Sequence, residues 1–414
     1  MQLNRRKLTF GIVGAVAAAP FASVAQAQGA PLKIGLITQL TGWAQIYGEA
    51  TKLGAEMAAQ RINAAGGVNG RPIELVFRDD KAVADATVAA YRDLASEGVR
   101  FFTCGPISAT AVALAPLFKG SDNILVATGA TQPSITYELY NDNIFRLAML
   151  SVPLYRGLGE LMAEKAPQVR NWSVMTNDQQ ASLDIAKVFS QAVTQAHARK
   201  GVTIQVQEPI QAKAGAGDFR TQIARLASSG STGVMNLLIG SDGLTFYKQA
   251  KAFGLDRKVE VFADVSANLN SMASIATATP QTVWTPYYWY PQQDKNPVSR
   301  ELYKAVLDKT GEVNPYGFVI FGHDAVVALA EAAKAAGSLA TRPMITALEQ
   351  GKPLGAGGPI VFRKEDHTYL GEMLFIKFGA DAAAKDGISV TDVLRMPSST
   401  YMPAAAPGQK FLIA

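Results

Sequence analysis

The run IELVFRDD (Ile73–Asp80) closes an apolar stretch on two adjacent carboxylates, Asp79 and Asp80. Paired carboxylates can divide acid and base work between them, or they can cap the helix that follows and bind nothing. Capping is the expectation, because glycines and asparagines before the run (AAGGVNGRP, Ala64–Pro72) read as plain punctuation between a helix and a strand. A different chemistry is suggested by small hydroxyl and glycine residues that recur just past predicted strands: Thr41-Gly42-Trp43, Gly105–Ser108 and Thr128–Thr131. Helix-start N–H groups with the hydroxyls of Ser108 and Thr131 beside them suit a carboxylate. Any one of these triplets reads as an ordinary helix cap; together on one edge they read as a crevice. Aromatic residues add an apolar wall: Trp43 and Tyr47 flank a helix start, and TVWTPYYWYPQ (Thr282–Gln292) supplies five more, of which one or two are expected in a cleft.

Signatures of other chemistry are missing from the sequence. There is no G-x-x-x-x-G-K-[ST], H-E-x-x-H or G-x-S-x-G. The three histidines, His197, His323 and His367, are far apart, and one cysteine cannot build a zinc cluster, so no metal, no cofactor and no enzyme activity are expected. Cys104 lies in the apolar run VRFFTC and reads as a buried, inert thiol.

The elements that position these residues alternate. Strand-like Leu32–Thr38, Ile73–Phe77, Val99–Cys104 and Ile124–Thr128 are separated by helical Tyr47–Asn63, Ala82–Glu97 and Ala109–Lys119. A second alternating set covers Leu154–Asp264, and helices near Val298–Thr310, Tyr316–Ala336 and Pro343–Glu349 precede two short β runs, Pro359–Arg363 and Leu374–Phe378. Repeated βαβ units imply parallel sheets covered on both faces. With 414 residues, two such units are expected. The Ala- and Pro-rich stretch from Asp381 is expected to wrap the surface or to be loose.

The net charge is +5, of which Arg5, Arg6 and Lys7 supply three, so the chain without residues 1–27 carries 5 − 3 = +2. That excludes a basic nucleic-acid footprint. These residues precede the apolar run Leu8–Ala19 and the small-x-small triplet Ala25-Gln26-Ala27, so a signal peptide cleaved near Ala27 is expected, exported by the general or the twin-arginine route. No cysteine follows the run, which excludes lipid attachment there.

The chain resembles the Leu/Ile/Val-binding family, the type-1 periplasmic solute-binding proteins of ABC importers, over Leu32–Phe378. The resemblance is carried by KIGLITQLTG, GAEMAAQRINAAGGVNGRPIELVFRDD, VATGATQPSIT and KQAKAFGL. It implies an α/β fold of two Rossmann-like lobes with parallel sheets, joined by a three-strand hinge and closing on a solute. The implied division is a leader over 1–27, the first lobe over 28–149 and 282–357, the second over 150–281 and 358–380, and a tail over 381–414. Ser108 corresponds to the serine that holds the ligand carboxylate, Gly129 and Thr131 to further backbone and hydroxyl contacts, and Tyr47 to an aromatic contact with Trp43 close by. Asp264, or Val265 beside it, stands where an acid holds an α-ammonium, while Ala181 replaces a tyrosine of the amino-acid binders. The implied function is periplasmic capture of a small carboxylate-bearing solute, an amino acid or an aromatic or organic acid, by a monomer that passes it to an inner-membrane ABC permease. A solute sensor and an exported hydrolase using Asp79 and Asp80 are the alternatives.

Overall fold

The computed structural model describes residues 29–265 and 267–413; the expected leader lies outside them. Two sheets carry the fold. The first is built from β1 (Leu32–Thr38), β2 (Ile73–Asp79), β3 (Phe101–Cys104), β4 (Ile124–Thr128) and β5 (Ile144–Leu147), all parallel, in the order β2-β1-β3-β4-β5. β3 and β4 are buried throughout, as their unbroken apolar runs FFTC and ILVAT require of strands covered on both faces. Helices α1 (Gln45–Ala64), α2 (Ala84–Ser96) and α3 (Ser108–Phe118) connect these strands.

The second sheet follows α4 (Ser151–Lys165). It contains β6 (Asn171–Asn177), β7 (Gln205–Val206), β8 (Ile210–Ala212), β9 (Gly233–Asn236), β10 (Val261–Asp264) and β11 (Val283–Tyr287), with α5 (Gln180–Ala198), α6 (Arg220–Ser228), α7 (Gly240–Ala252) and the short α8 (Leu269–Ala273) between them. The chain then returns to the first lobe as α9 (Pro297–Thr310), α10 (Phe318–Ala336) and α11 (Thr341–Gln350); α10 lies on α1, β3, β4 and β5. A small hairpin, β12 (Leu354–Gly355) with β13 (Gly358–Pro359), precedes β14 (Glu372–Ala380), antiparallel to β11, and β15 (Ile388–Pro397), antiparallel to β14, which complete the second sheet.

Four expectations about the sheets, lobes and tail are corrected. The second sheet is mixed, because β14 and β15 enter it as an antiparallel hairpin. The return to the first lobe comes after β11, not at residue 282: Val283–Tyr287 find a free parallel edge on β10 and bury Trp284 before the chain leaves. Likewise, Phe362 packs on Phe145 at 5.1 Å and Thr368 bridges to Arg146, so the chain stays with the first lobe to about residue 369. The tail holds the ten-residue strand β15, whose mostly half-buried positions, with no regular apolar alternation, carry too weak a signal to mark it in sequence.

The punctuation at Ala64–Pro72 has a geometric cause. α1 ends in a Schellman turn, with Gly66 and Gly67 at φ +95° and +75°, Gly67 N–H on Ile62 O and Gly66 N–H on Asn63 O. The Asn63 side chain then clips both backbone groups of Ile73, fixing where β2 begins.

Asp79 and Asp80 do not cap α2, whose N-cap residue Val83 has no side-chain bond. Asp80 is fully buried and accepts from Gln39 Nε2 (2.9 Å), Thr110 Oγ1 (2.9 Å), Thr87 Oγ1 (3.0 Å) and Ala82 N–H (3.0 Å). Asp79 accepts from Leu40 N–H and Thr41 Oγ1. Burial raises the Asp79 pKa, but the Thr41 and backbone hydrogen bonds outweigh it and hold the group below the ordinary carboxylate range. The pair thus staples the loops after β1 and β2, and Asp80 adds α2 and α3.

α1 and α10 cross so closely that backbone meets backbone. A Cβ on Gly322 would lie 1.8 Å from Thr51 O, and one on Gly54 would lie 1.8 Å from Val319 O. Gly322→Ala is therefore expected to destabilise the chain by about 1–3 kcal/mol, overriding alanine's better helix propensity. Thermal unfolding should show a Tm lower by roughly 2–10 °C; an unchanged or higher Tm would contradict this contact.

Candidate functional site

In both sheets the strand order reverses beside a central strand. β1 sends the chain to β2 on one side and β3 on the other, and β6 does the same with β7 or β8 and β9. Loops leaving the carboxyl ends at such a switch point diverge and leave a crevice. A cavity of about 430 Å³ lies between the two lobes at these edges, within the size range of small-solute sites.

The second lobe supplies most of its wall: residues at the start of α7 (Leu238–Ser241, Leu244), Asp264 and Val265, Ala267 and Asn268, Ser271 and Met272, and Tyr287 at the end of β11. The first lobe adds Tyr47 on α1 and Tyr316, Gly317 and Phe318 at the start of α10. Tyr288, in the connection between the lobes, completes an aromatic cage. Tyr47 meets Phe318 edge-on at 5.1 Å and Tyr316 at 6.3 Å, and Tyr288 lies 5.4 Å from Phe318. Gly317 is what allows this approach, since a Cβ there would come within 2.8 Å of Tyr288 Cβ.

At the floor Asp264, 1% exposed, accepts from Asn236 Nδ2 (2.8 Å), Tyr247 OH (2.6 Å) and Ala267 N–H (2.7 Å). These neutral donors come from three successive parts of the second lobe, so the carboxylate fixes the loop it sits on. Across the mouth the lobes touch: Asn270 Nδ2 donates to Asn314 O at 2.7 Å, and Ser271 Oγ lies 3.3 Å from Tyr316 OH. Among the described residues the lining has no lysine, arginine or histidine and holds one carboxylate, hydroxyls, an amide and aromatic faces. The geometry suits binding through ring faces and local dipoles.

Of the residues singled out in sequence, Tyr47 and Asp264 line this cavity, as does Val265. Trp43 is 69% exposed on the loop before α1. Ser108 begins α3, half-buried, without a side-chain capping bond. Gly129, at φ +62°, lies where a Cβ would strike Pro106 and come 3.5 Å from the Phe318 ring, one layer behind the cavity wall. Thr131 is half-buried, and its carbonyl accepts from Ser151 N–H at the start of α4. The sequence reading missed Tyr316 and Phe318, although two aromatics around a glycine at a helix start, YGF, were visible. Of the five aromatics in Trp284–Tyr290, Tyr287 and Tyr288 reach the cavity, while Trp284 and Trp289 are buried.

The sequence pattern of the periplasmic binding protein family matches residues 31–383. The chain belongs to that family. Its function is that of a solute-binding protein of ABC-type transport. It is 28% identical over 337 residues, 79% of this chain and 84% of the other, to a leucine-, isoleucine-, valine-, threonine- and alanine-binding protein of Pseudomonas aeruginosa. Among solved structures it is similar to an ABC-type branched-chain amino acid transporter protein of Rhodopseudomonas palustris (TM-score 0.77, 22% identity, 91% of this chain and 99% of the other). Another R. palustris solute-binding protein, in complex with benzoate, gives a TM-score of 0.74 at 19% identity, covering 92% of this chain and 100% of the other. Among the described residues of this periplasmic binding protein no helix is long and apolar enough to cross a membrane, and no cluster of metal-ligating side chains occurs.

Two phenols beside the cavity, Tyr288 and Tyr247, have raised pKa values. Burial pushes the Tyr288 phenol up to about 12, and burial followed by the nearby Asp264 carboxylate raises Tyr247 well above its usual value. A raised folded-state pKa stabilises the fold fully below the ordinary phenol value near 10 and loses that contribution as pH rises toward the folded value. Urea unfolding is therefore expected to show stability falling between about pH 10 and pH 12, and Tyr288→Phe should lessen the fall. A flat profile across that window would contradict the burial of these phenols.

Proposed function

We propose that this periplasmic binding protein captures a small carboxylate-bearing solute with an aromatic body and delivers it to the inner-membrane permease of an ABC importer. In this reading the chain is exported, loses its leader near Ala27, and works as a monomer in the periplasm. The observation that carries the proposal is the cage of Tyr47, Tyr287, Tyr288, Tyr316 and Phe318 around the cleft between the lobes. Flat rings stack offset or edge-on against such walls, each contact adding about 0.5–1.5 kcal/mol beyond its buried area.

Asp264 separates this reading from a branched-chain amino acid. An α-ammonium at the floor would have to compete with Asn236, Tyr247 and Ala267 for a carboxylate they already surround. An aromatic acid asks nothing of that carboxylate. Its own carboxylate would lie toward the first lobe, on the side of Ser108, Gly129 and Thr131, which the family resemblance assigns to it although none of the three lines the cavity in this arrangement. The benzoate complex of a structural neighbour is in keeping with this assignment, and the leucine- and isoleucine-binding relative favours the other.

A thermal-shift and calorimetric panel decides between them. Benzoate, hydroxybenzoates and aromatic amino acids are compared with leucine and isoleucine at matched concentrations. Aromatic acids are expected to raise Tm, a solute at 100 times its Kd adding about 2.7 kcal/mol of stability. Phe318→Ala and Tyr288→Ala should each weaken the best binder by about tenfold or more, while Ser108→Ala and Thr131→Ala should weaken any carboxylate-bearing solute. Shifts from leucine or isoleucine alone would overturn the aromatic assignment; unchanged affinity in both Ser108→Ala and Thr131→Ala would overturn the placement of the carboxylate.

A further inference from the structure

Three passages of chain link the lobes: Leu147–Ser151 from β5 to α4, the connection from β11 to α9, and the segment leading from the first lobe into β14. The residues after β15 make another crossing. Ser398 N–H donates to Gly371 O, and residues 398–400 lie against α4, so the segment sets out from the second lobe. It then passes Arg363, whose Nη1 donates to Pro403 O at 2.8 Å. It ends on the first lobe: Tyr137 OH donates to Ala404 O at 2.6 Å, Gly408 N–H to Tyr137 O at 2.7 Å, and Phe411 N–H to Glu138 Oε1 at 2.9 Å. The Phe411 ring closes on Tyr137 edge-on at 4.8 Å.

The point of attachment matters. Tyr137 lies a few residues beyond the Gly129–Thr131 loop, and between them Thr136 Oγ1 accepts from Arg146 Nη2 and lies 3.1 Å from Thr368 Oγ1, which also accepts from Arg146. Arg146 is completely buried, with its pKa brought down to about 9 by desolvation that the neighbouring Asp366 only partly offsets. The same few residues therefore join the third passage, β5 and the end of the tail into one polar knot.

From this arrangement we propose that residues 398–413 are a fourth tether between the lobes, which holds them in the arrangement in which Asn270 and Ser271 reach Asn314 and Tyr316 across the cleft. A segment bonded at both ends resists any lobe rotation that changes the span between β15 and Tyr137. The tether adds no atom to the cavity. It acts on the population of the arrangement that forms the cavity.

The test needs no solute, so it stands apart from the choice of ligand. Lys119→Cys on the first lobe and Thr203→Cys on the second are exposed and take spin labels. Cys104, buried with its thiol pushed up to about 12, does not compete for them. Pulsed EPR distances are measured in the otherwise native chain, in a chain ending at Pro397, and in the full chain carrying Tyr137→Phe with Phe411→Ala. Losing one hydrogen bond and one aromatic pair is expected to shift the ratio of the native arrangement to all others by about tenfold, seen as a broadened or displaced distance distribution. Should the shortened chain fail to fold, the doubly substituted full chain decides the matter. Distributions that superimpose on the native one in every folded variant would overturn the proposal.

Discussion

A carboxylate taken out of water survives only if it collects donors, and that requirement organises both halves of the cleft. Asp80 ends the region of β2, Asp264 ends β10, and each is buried at the carboxyl edge of its sheet. The donors around Asp80 come from the loop after β1, from α2 and from α3; those around Asp264 come from β9, α7 and the loop before α8. Every one of these donors is neutral. Two carboxyl groups are thus engaged in fixing loops, and the aromatic side chains of α1, the end of β11 and the start of α10 line the cavity.

This explains why the site was only partly legible in sequence. Strands and helices followed from period and burial, since runs such as ILVAT and the spacing of Ala50, Leu53 and Met57 leave little choice of structure. The carboxyl edges followed from chain order, and Tyr47 with them, whereas Asp264, or Val265 beside it, came only from the family resemblance. Tyr316 and Phe318 did not, because they enter the cleft from a helix that returns to the first lobe some 270 residues after Tyr47, and nothing local records that return. Asp79 and Asp80 looked like helix caps for the same reason. Thr110, a donor to Asp80, comes from a different helix, and pairings across such separations are set by topology alone.

The lobe boundaries moved for a related cause. A chain that crosses between two sheets carries no signal at the crossing itself; it leaves when the last strand runs out of edge. Val283–Tyr287 is apolar enough to belong to either lobe, and the free edge of β10 claims it. The strand Ile388–Pro397 was missed because an outer strand half open to water needs few apolar residues, and its register is set by β14.

The contacts between the lobes have an energetic consequence. A solute shifts the balance of lobe arrangements only by the difference in its affinity for them, and its apparent affinity falls in proportion to how rarely the competent arrangement is populated. Hydrogen bonds that the protein itself places across the cleft, Asn270 to Asn314 and Ser271 to Tyr316, raise that population before any solute arrives. Each such contact therefore tightens binding and, by the same amount, reduces the change in shape that the solute can impose. A transport partner that reads shape needs that change to remain large. Contacts of this kind must stay few, short and polar, open to competition from water, while the aromatic cage spanning Tyr47, Phe318 and Tyr287 leaves the larger share of the closing free energy to the solute.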